Sequence, residues 1–202
     1  MSGQQKRFVS LDVFRGMTIA LMILVNTPGT WAHVYAPLRH AKWHGCTLTD
    51  LVFPFFLFIV GAAMRFSFRR YDFILTPALT RKILGRMMTI FLFGLLLSAY
   101  PFIHQDWDWS GFRIMGVLQR IALAYGCAAF LVLVLNRSQI IKASGIILLA
   151  YWFFLWVFGW INGVDPYGLE SNLPRMVDLA IMGDSHLYGG AGIPFDPEGL
   201  LS

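Results

Sequence analysis

The chain has 202 residues, of which 57% are hydrophobic, 16% aromatic and only 13% charged. An ordinary soluble domain carries about 25% charged residues, so this sequence cannot cover a water-exposed surface with polar groups, and a soluble protein is excluded. The net charge of +5 does not predict nucleic-acid binding, because the basic residues lie at the ends of hydrophobic segments rather than on one polar face.

Five hydrophobic segments follow one another along the chain, and each is long enough for a helix of about 20 residues to cross a bilayer. They lie near residues 11–28, 47–68, 82–101, 112–136 and 139–161. The segments must be helices, because lipid offers no partner to an unpaired backbone group and nothing here alternates like a barrel strand. The sequence therefore predicts an all-α, polytopic transmembrane helix bundle over residues 1–161, with an outer loop at residues 27–46.

The basic residues predict the orientation of this bundle. Ten of them fall at the amino terminus and around the loops after spans two and four: Lys6, Arg7, Arg65, Arg69, Arg70, Arg81, Lys82, Arg86, Arg137 and Lys142. Short cytoplasmic loops carry an excess of Lys and Arg, so this side is predicted to be cytoplasmic. The amino terminus then lies in the cytoplasm and the loop 27–46 lies on the outer side.

The last segment, residues 162–202, is rich in Gly, Pro and Asp and contains no sixth hydrophobic span. We expect it to be an extracytoplasmic segment that leads towards a further span absent from this sequence. No internal repeat is visible, so the inverted-repeat signature of many transporters is not found.

Ionisable side chains at membrane depth are candidates for function, because each costs a few kcal/mol unless it is paired or hydrated. Asp12 and Arg15 lie one helical turn apart in the first span, and they form either a local ion pair or a site where Arg15 faces a phosphate-bearing ligand. Arg120, beside Gln119, lies deeper in the fourth span. Its expected partner across the bundle is Asp50, as a structural pair or as the wall of a site.

Three histidines crowd into the outer loop, namely His33, His40 and His44. A neutral imidazole can take a proton from an amine or a hydroxyl near pH 7, although each of these residues could equally be a solvated interfacial side chain. His40, His44 and Cys46 could instead be metal ligands. Their spacing matches no established zinc pattern, and no metal is predicted.

The sequence around His40 resembles the segment that carries the active-site histidine in the heparan-alpha-glucosaminide N-acetyltransferase family and its bacterial relatives. The shared pattern is His-Ala-x-Trp-x-Gly at residues 40–45, followed by Asp-Leu-Val-Phe-Pro at residues 50–54. The resemblance continues in the same order at residues 10–16, 25–26, 116–120, 182–188 and 195–200.

The resemblance implies a multispan enzyme that takes an acetyl group from cytoplasmic acetyl-CoA and transfers it to an amino sugar or glycan on the other side of the membrane. His40 takes the position of the catalytic histidine, and Asn26 takes that of an asparagine lining the same site. The histidine either removes a proton from the acceptor amine or accepts the acetyl group itself. For a bacterial relative the membrane would be the inner, or plasma, membrane.

Further residues are then expected to contact the two substrates. Trp43, Asp50, Gln119 and Arg120 are predicted to bind the acceptor or the reacting groups. Arg15 and Arg86 are predicted to bind the phosphates of CoA.

Two other functions remain open from the sequence. One is a transporter or flippase for a sugar or a lipid-linked substrate, with Arg120 and Asp50 as its polar path. The other is a purely structural membrane subunit. The aromatic faces of the spans, which contain few small residues, also leave room for a homodimer.

Overall fold

A computed structural model of the chain describes residues 8–100, 109–190 and 192–201, and within these ranges its regular structure is entirely helical. The α-helices are α1 (Val9–Asn26), α2 (Val52–Phe68), α3 (Pro77–Ala99), α4 (Val117–Val134), α5 (Arg137–Asn162) and α6 (Leu173–Met182). Five of them, α1 to α5, are long and apolar enough to cross a membrane. The predicted all-α fold with five spans is confirmed. Lys6 and Arg7, which contributed to the predicted orientation, lie outside the described residues.

The starts of three helices differ from the prediction by five residues, and α2 begins at Val52 rather than at residue 47, after the 3₁₀ turn Thr49–Leu51. Helix α3 begins at Pro77 rather than at residue 82, because the Thr76 hydroxyl accepts a hydrogen bond from the Leu79 N–H at 3.2 Å and caps the helix. Proline is well suited to the first position of a helix, where its missing N–H needs no partner. Helix α4 begins at Val117 rather than at residue 112, since the chain is still extended at Gly116. Hydrophobicity alone misses both signals.

The contacts within the chain divide it into two compact units, Met1–Ser67 and Phe68–Ser202. In the first unit the ring centroids of Phe8 and Phe66 are 4.3 Å apart, and those of Phe14 and Phe55 are 5.2 Å apart. The start of α1 therefore lies beside the end of α2, and the two helices are antiparallel. This pairing brings Asn26, the last residue of α1, to the same end of the unit as the start of α2. The predicted boundary between bundle and tail at residue 161 stays a prediction.

In the second unit α3 and α4 approach each other closely at two glycines. A Cβ atom on Gly94 would overlap the side chain of Gln119, and one on Gly126 would overlap the side chain of Met87. Small residues let helix backbones approach in a membrane, where packing rather than the hydrophobic effect drives association. These contacts fix α3 and α4 as an antiparallel pair.

The segment 162–202 contains a helix that the sequence analysis did not predict, α6. Asn172 caps it by accepting a hydrogen bond from the Arg175 N–H at 2.9 Å, and Pro174 lies in its first turn. An Asn followed by a Pro in this arrangement is a start signal for a helix. Met182 at the end of α6 joins Met115, just before α4, in a buried apolar cluster. The segment therefore folds back onto the beginning of α4.

Candidate active site

His40 lies in the loop between α1 and α2, just after a 3₁₀ turn at Ala36–Leu38. Its side chain is 70% exposed, and its Nδ1 atom lies 2.7 Å from Oδ1 of Asp50. Asp50 belongs to a second 3₁₀ turn, Thr49–Leu51, that leads directly into α2. The two halves of the motif found in the sequence, the histidine core and the Asp-Leu-Val-Phe-Pro run, therefore meet in one contact. The pairing of His40 with Asp50 was not predicted from the sequence.

The second oxygen of Asp50, Oδ2, accepts three hydrogen bonds from the same loop. The donors are the Thr47 N–H at 2.8 Å, the Thr47 hydroxyl at 2.9 Å and the Ala41 N–H at 3.2 Å. Hydrogen bonds of this kind favour the ionised carboxylate, which can only accept. The proton between His40 and Asp50 must therefore come from the ring. In the neutral ring Nε2 of His40 is then the nitrogen without a proton, and its lone pair points away from Asp50.

A glycine makes this arrangement possible. Gly45 has a φ of +133°, a backbone conformation that side-chain-bearing residues rarely adopt. A Cβ atom built on Gly45 would lie 3.5 Å from the Cβ atom of Ala41. The loop thus doubles back at Gly45 and brings the N–H groups of residues 41 and 47 onto the same carboxylate.

The other predicted residues of the first unit lie at different distances from this pair. The Asn26 side chain lies at the same end of the unit and donates a hydrogen bond to the Met22 carbonyl at 2.9 Å. Trp43 is in the His40 loop, with its ring centroid 6.3 Å from that of His44. Among the described residues, no hydrogen bond joins Asn26 to His40. The predicted roles of Asn26 and Trp43 stay predictions.

Arg15 lies away from this end. Its Nη1 atom is 3.7 Å from Oδ1 of Asp12, and the side chains of the two residues are 44% and 32% exposed. The local ion pair considered from the sequence is therefore present. Arg15 precedes Asn26 by eleven residues of continuous helix, which corresponds to about 16 Å along the axis. Arg15 and the His40 loop thus lie at different depths of the first unit.

The predicted residues of the second unit all have partners within it. Gln119 is buried in α4 and donates from Nε2 to the Ile114 carbonyl at 3.0 Å. Arg120 donates from Nη1 to the Pro197 carbonyl at 2.8 Å. The Arg86 guanidinium lies 5.3 Å from the ring centroid of Tyr125. A pairing of Arg120 with Asp50 would join the two units and stays a prediction, as do the substrate contacts of Gln119, Arg120 and Arg86.

A charged cluster that the sequence analysis did not identify attaches the tail to the start of α4. Arg113 donates to Asp196 from Nε at 2.8 Å and from Nη2 at 2.5 Å, and Nη2 also lies 2.5 Å from a Glu198 oxygen. Asp196 is fully buried, and the Arg113 guanidinium lies 4.9 Å from the ring centroid of Tyr188. The partners are 83 and 85 positions apart in the sequence. Such a separation gives no local signal of pairing.

The comparisons with known proteins agree with the motif at residues 40–54. A family model described as heparan-alpha-glucosaminide N-acetyltransferase, catalytic, matches residues 7–180. The chain belongs to this family. It is similar to heparan-alpha-glucosaminide N-acetyltransferase of Homo sapiens, at 27% identity over 100% of this chain and 36% of the human protein. It is also similar to the protein of that name from Mus musculus, at 27% identity over 96% of this chain and 36% of the mouse protein. The chain thus spans about a third of the length of these curated members of the heparan-alpha-glucosaminide N-acetyltransferase family.

Proposed function

We propose that the protein is a transmembrane acetyltransferase that moves an acetyl group from cytoplasmic acetyl-CoA to an amino sugar or glycan on the opposite side of the membrane. The observation that carries the proposal is the 2.7 Å contact between His40 and Asp50, which leaves Nε2 of the histidine free. Membership of the family and five apolar helices support it. The printed names of both relatives are those of N-acetyltransferases.

The free Nε2 atom of His40 can serve either of two routes. As a general base it takes a proton from the acceptor amine while the amine nitrogen attacks the thioester carbonyl, the C–S bond breaks and CoA leaves as the thiolate. As a nucleophile it attacks the thioester carbonyl itself and the C–S bond breaks to release the CoA thiolate; the amine then takes the acetyl group as the bond to Nε2 breaks, and the amine proton passes to the released Nε2. The imidazole ring becomes positively charged on both routes, and the Asp50 carboxylate stabilises that charge.

The remaining predicted residues take supporting roles in this proposal. Asn26, at the same end of the first unit as His40, would donate a hydrogen bond to the developing oxyanion, with Arg120 as a second donor. Trp43 and Gln119 would contact the acceptor. An exposed Arg15, held by Asp12 only at 3.7 Å, is available to a CoA phosphate.

The proposed path of the donor starts at the arginines expected to bind its phosphates. Arg86 is the second proposed phosphate contact, and it lies nine residues after Pro77, the first residue of α3, which is about 14 Å from that end of the helix. A charge at such a depth is a candidate for function. The thin pantetheine arm of CoA would extend along α1 from Arg15 towards Asn26, which lets a cytoplasmic donor reach an outer histidine.

The test uses labelled acetyl-CoA, an amino sugar and membranes that contain the intact protein. His40→Ala should lower acetyl transfer by about 10²- to 10⁴-fold, the range of general acid–base catalysis. His33→Ala is the matched control, because His33 is an exposed histidine of the same loop, and it should keep the wild-type rate. Full transfer by His40→Ala would refute the assignment. Sugar flux that needs no acetyl-CoA would point instead to the transporter.

The sidedness of the site has its own test. Cys46 is an exposed free cysteine in the His40 loop, and Ser67 lies near the opposite end of α2. In a Cys127→Ser background, a membrane-impermeant maleimide added to intact cells should label Cys46. The variant Ser67→Cys, made with Cys46→Ser added to that background, should react only after permeabilisation. The reverse pattern would contradict transfer across the membrane.

A further inference from the structure

The orientation of His40 does not come from close packing. Its side chain is 70% exposed, so few neighbouring atoms restrict the rotation of the ring. The position of Nε2 therefore depends on two things: the backbone that carries His40 and the carboxylate that holds Nδ1. A residue that fixes both would control the reacting atom without touching it.

Thr47 contacts both the backbone next to His40 and the Asp50 carboxylate through hydrogen bonds. Two of the three donors to Oδ2 of Asp50 belong to it, the N–H at 2.8 Å and the hydroxyl at 2.9 Å. The same hydroxyl lies 2.6 Å from the carbonyl oxygen of Arg39, the residue immediately before His40. One side chain thus connects the backbone next to the histidine with the carboxylate opposite the histidine.

In both of these contacts the Thr47 hydroxyl has to be the donor. Carbonyl and carboxylate oxygens only accept, and a threonine hydroxyl has a single proton to donate. That proton can bond only one of the two oxygens at a time, and both the Arg39 carbonyl and the Asp50 carboxylate lie within hydrogen-bond distance of the hydroxyl. The Thr47 N–H bonds Asp50 independently of the side chain. Loss of the hydroxyl would leave Asp50 ionised and held by the N–H groups of Thr47 and Ala41, but it would remove the contact with the backbone before His40 and loosen the carboxylate.

We propose that Thr47 is a positioning residue whose hydroxyl fixes His40 in the tautomer and orientation that present an unprotonated Nε2 to the acetyl group. This inference rests on the proposed function, because it assigns the reacting atom within the same site. It goes beyond the site residues predicted from the sequence, which do not include Thr47. The mechanism is geometric: a displacement of about 1 Å at a reacting atom can lower a rate by about 10²-fold.

Four variants separate positioning from folding. Thr47→Val keeps the shape of the side chain and the N–H but removes the hydroxyl, and Thr47→Ala removes the hydroxyl with less volume in case valine does not fit. Thr47→Ser keeps the hydroxyl. Thr89→Val is the matched control, since the Thr89 hydroxyl donates only to the Gly85 carbonyl of its own helix, at 2.8 Å.

In membranes with the intact protein, Thr47→Val and Thr47→Ala should lower kcat for acetyl transfer by about 10- to 100-fold. The KM for acetyl-CoA should stay unchanged, because the donor does not bind to Thr47. Thr47→Ser and Thr89→Val should remain within about threefold of the wild-type kcat. A KM that rises while kcat stays constant would overturn the positioning role, as would a wild-type kcat in both hydroxyl-free variants.

A second readout does not depend on activity. With ¹⁵N-labelled histidine rings and the His40 signals assigned through His40→Ala, NMR at a pH where the ring is neutral should show the proton on Nδ1 in the wild type. Thr47→Val and Thr47→Ala should show a mixture of the two tautomers, and Thr47→Ser should restore the single form. An unchanged tautomer in both hydroxyl-free variants would overturn the inference. If His40→Ala kept its transfer activity, the proposed function would fail, and these ring signals would still decide the role of Thr47.

Discussion

Removal of the Arg113 side chain should destabilise the second unit strongly. In Arg113→Met the Asp196 carboxylate, which is fully buried, loses both of its guanidinium hydrogen bonds. Breaking a buried ion pair by removing one partner costs about 3–5 kcal/mol, because the other charge stays buried and uncompensated. The Arg113 side chain is itself 30% exposed, so water can partly replace it, and we expect the lower end, about 3 kcal/mol. For a chain of this size that corresponds to a Tm lower by about 6–12 °C.

The assay is thermal unfolding of the purified protein in detergent micelles, followed by tryptophan fluorescence. The double variant Arg113→Met/Asp196→Asn removes the charge together with its partner and should recover a large part of the lost stability. Arg137→Met is the control, since Arg137 is an exposed arginine at the start of α5, and it should change the unfolding free energy by less than about 0.5 kcal/mol. A wild-type Tm for Arg113→Met, or no recovery in the double variant, would refute the reasoning.

Three further predictions concern buried positions. Gly199→Ala would push a Cβ atom into the Asp178 carboxylate and should lower the unfolding free energy by about 1–3 kcal/mol. Gly189→Ala is the control, because its added atom meets nothing within 4 Å, and it should not lower the Tm. Burial raises the pKa of Asp178 against the opposing effect of its backbone hydrogen bond, and the nearby Asp196 raises it further. The folded state therefore binds this proton more tightly than the unfolded state, so stability should fall as pH rises from the ordinary pKa through the raised one. Asp178→Asn should remove that fall, and a Tm difference from wild type that stays constant between pH 4 and 8 would contradict it. Thr49→Val should be neutral or stabilising in the same unfolding assay, because the buried Thr49 hydroxyl has no hydrogen-bond partner among the described residues; a clear loss of stability would show that this hydroxyl is bonded after all.

The membrane spans were predictable because a bilayer demands about 20 apolar residues in a row. The starts of the helices were harder to predict. The charges near Arg81 placed the predicted start of α3 too late in the sequence, although Thr76 and Pro77 are the residues that cap and begin the helix. Helix α6 was missed because its 10 residues are too short for a span, and the Gly and Pro content around it is typical of a loop. Local capping residues, rather than hydropathy, decide such boundaries.

The residues of the candidate site were also easier to predict than the contacts between them. The motif contains both His40 and Asp50, but their contact was not predicted, because Asp50 was considered only as a partner for Arg120 and as an acceptor-binding residue. Sequence spacing does not reveal which side chains meet in an irregular loop, because the path depends on single conformations such as the positive φ of Gly45. The role inferred for Thr47 likewise depends on two distances that only coordinates supply. For the same reason the cluster around Arg113 could not be predicted.

The membrane-spanning helices differ in length relative to the thickness of the bilayer. Helices α1 and α4 have 18 residues each and α5 has 26, which correspond to about 27 Å and 39 Å against a hydrocarbon layer of about 30 Å. A helix longer than the hydrocarbon layer is accommodated by tilting or by extending into the headgroups, and a shorter one by local thinning of the bilayer, by snorkelling side chains or by association. Helices α1 and α4 are the ones that carry Arg15, Asn26, Gln119 and Arg120. A thinner hydrocarbon layer beside them would shorten the path that the proposed donor has to cross.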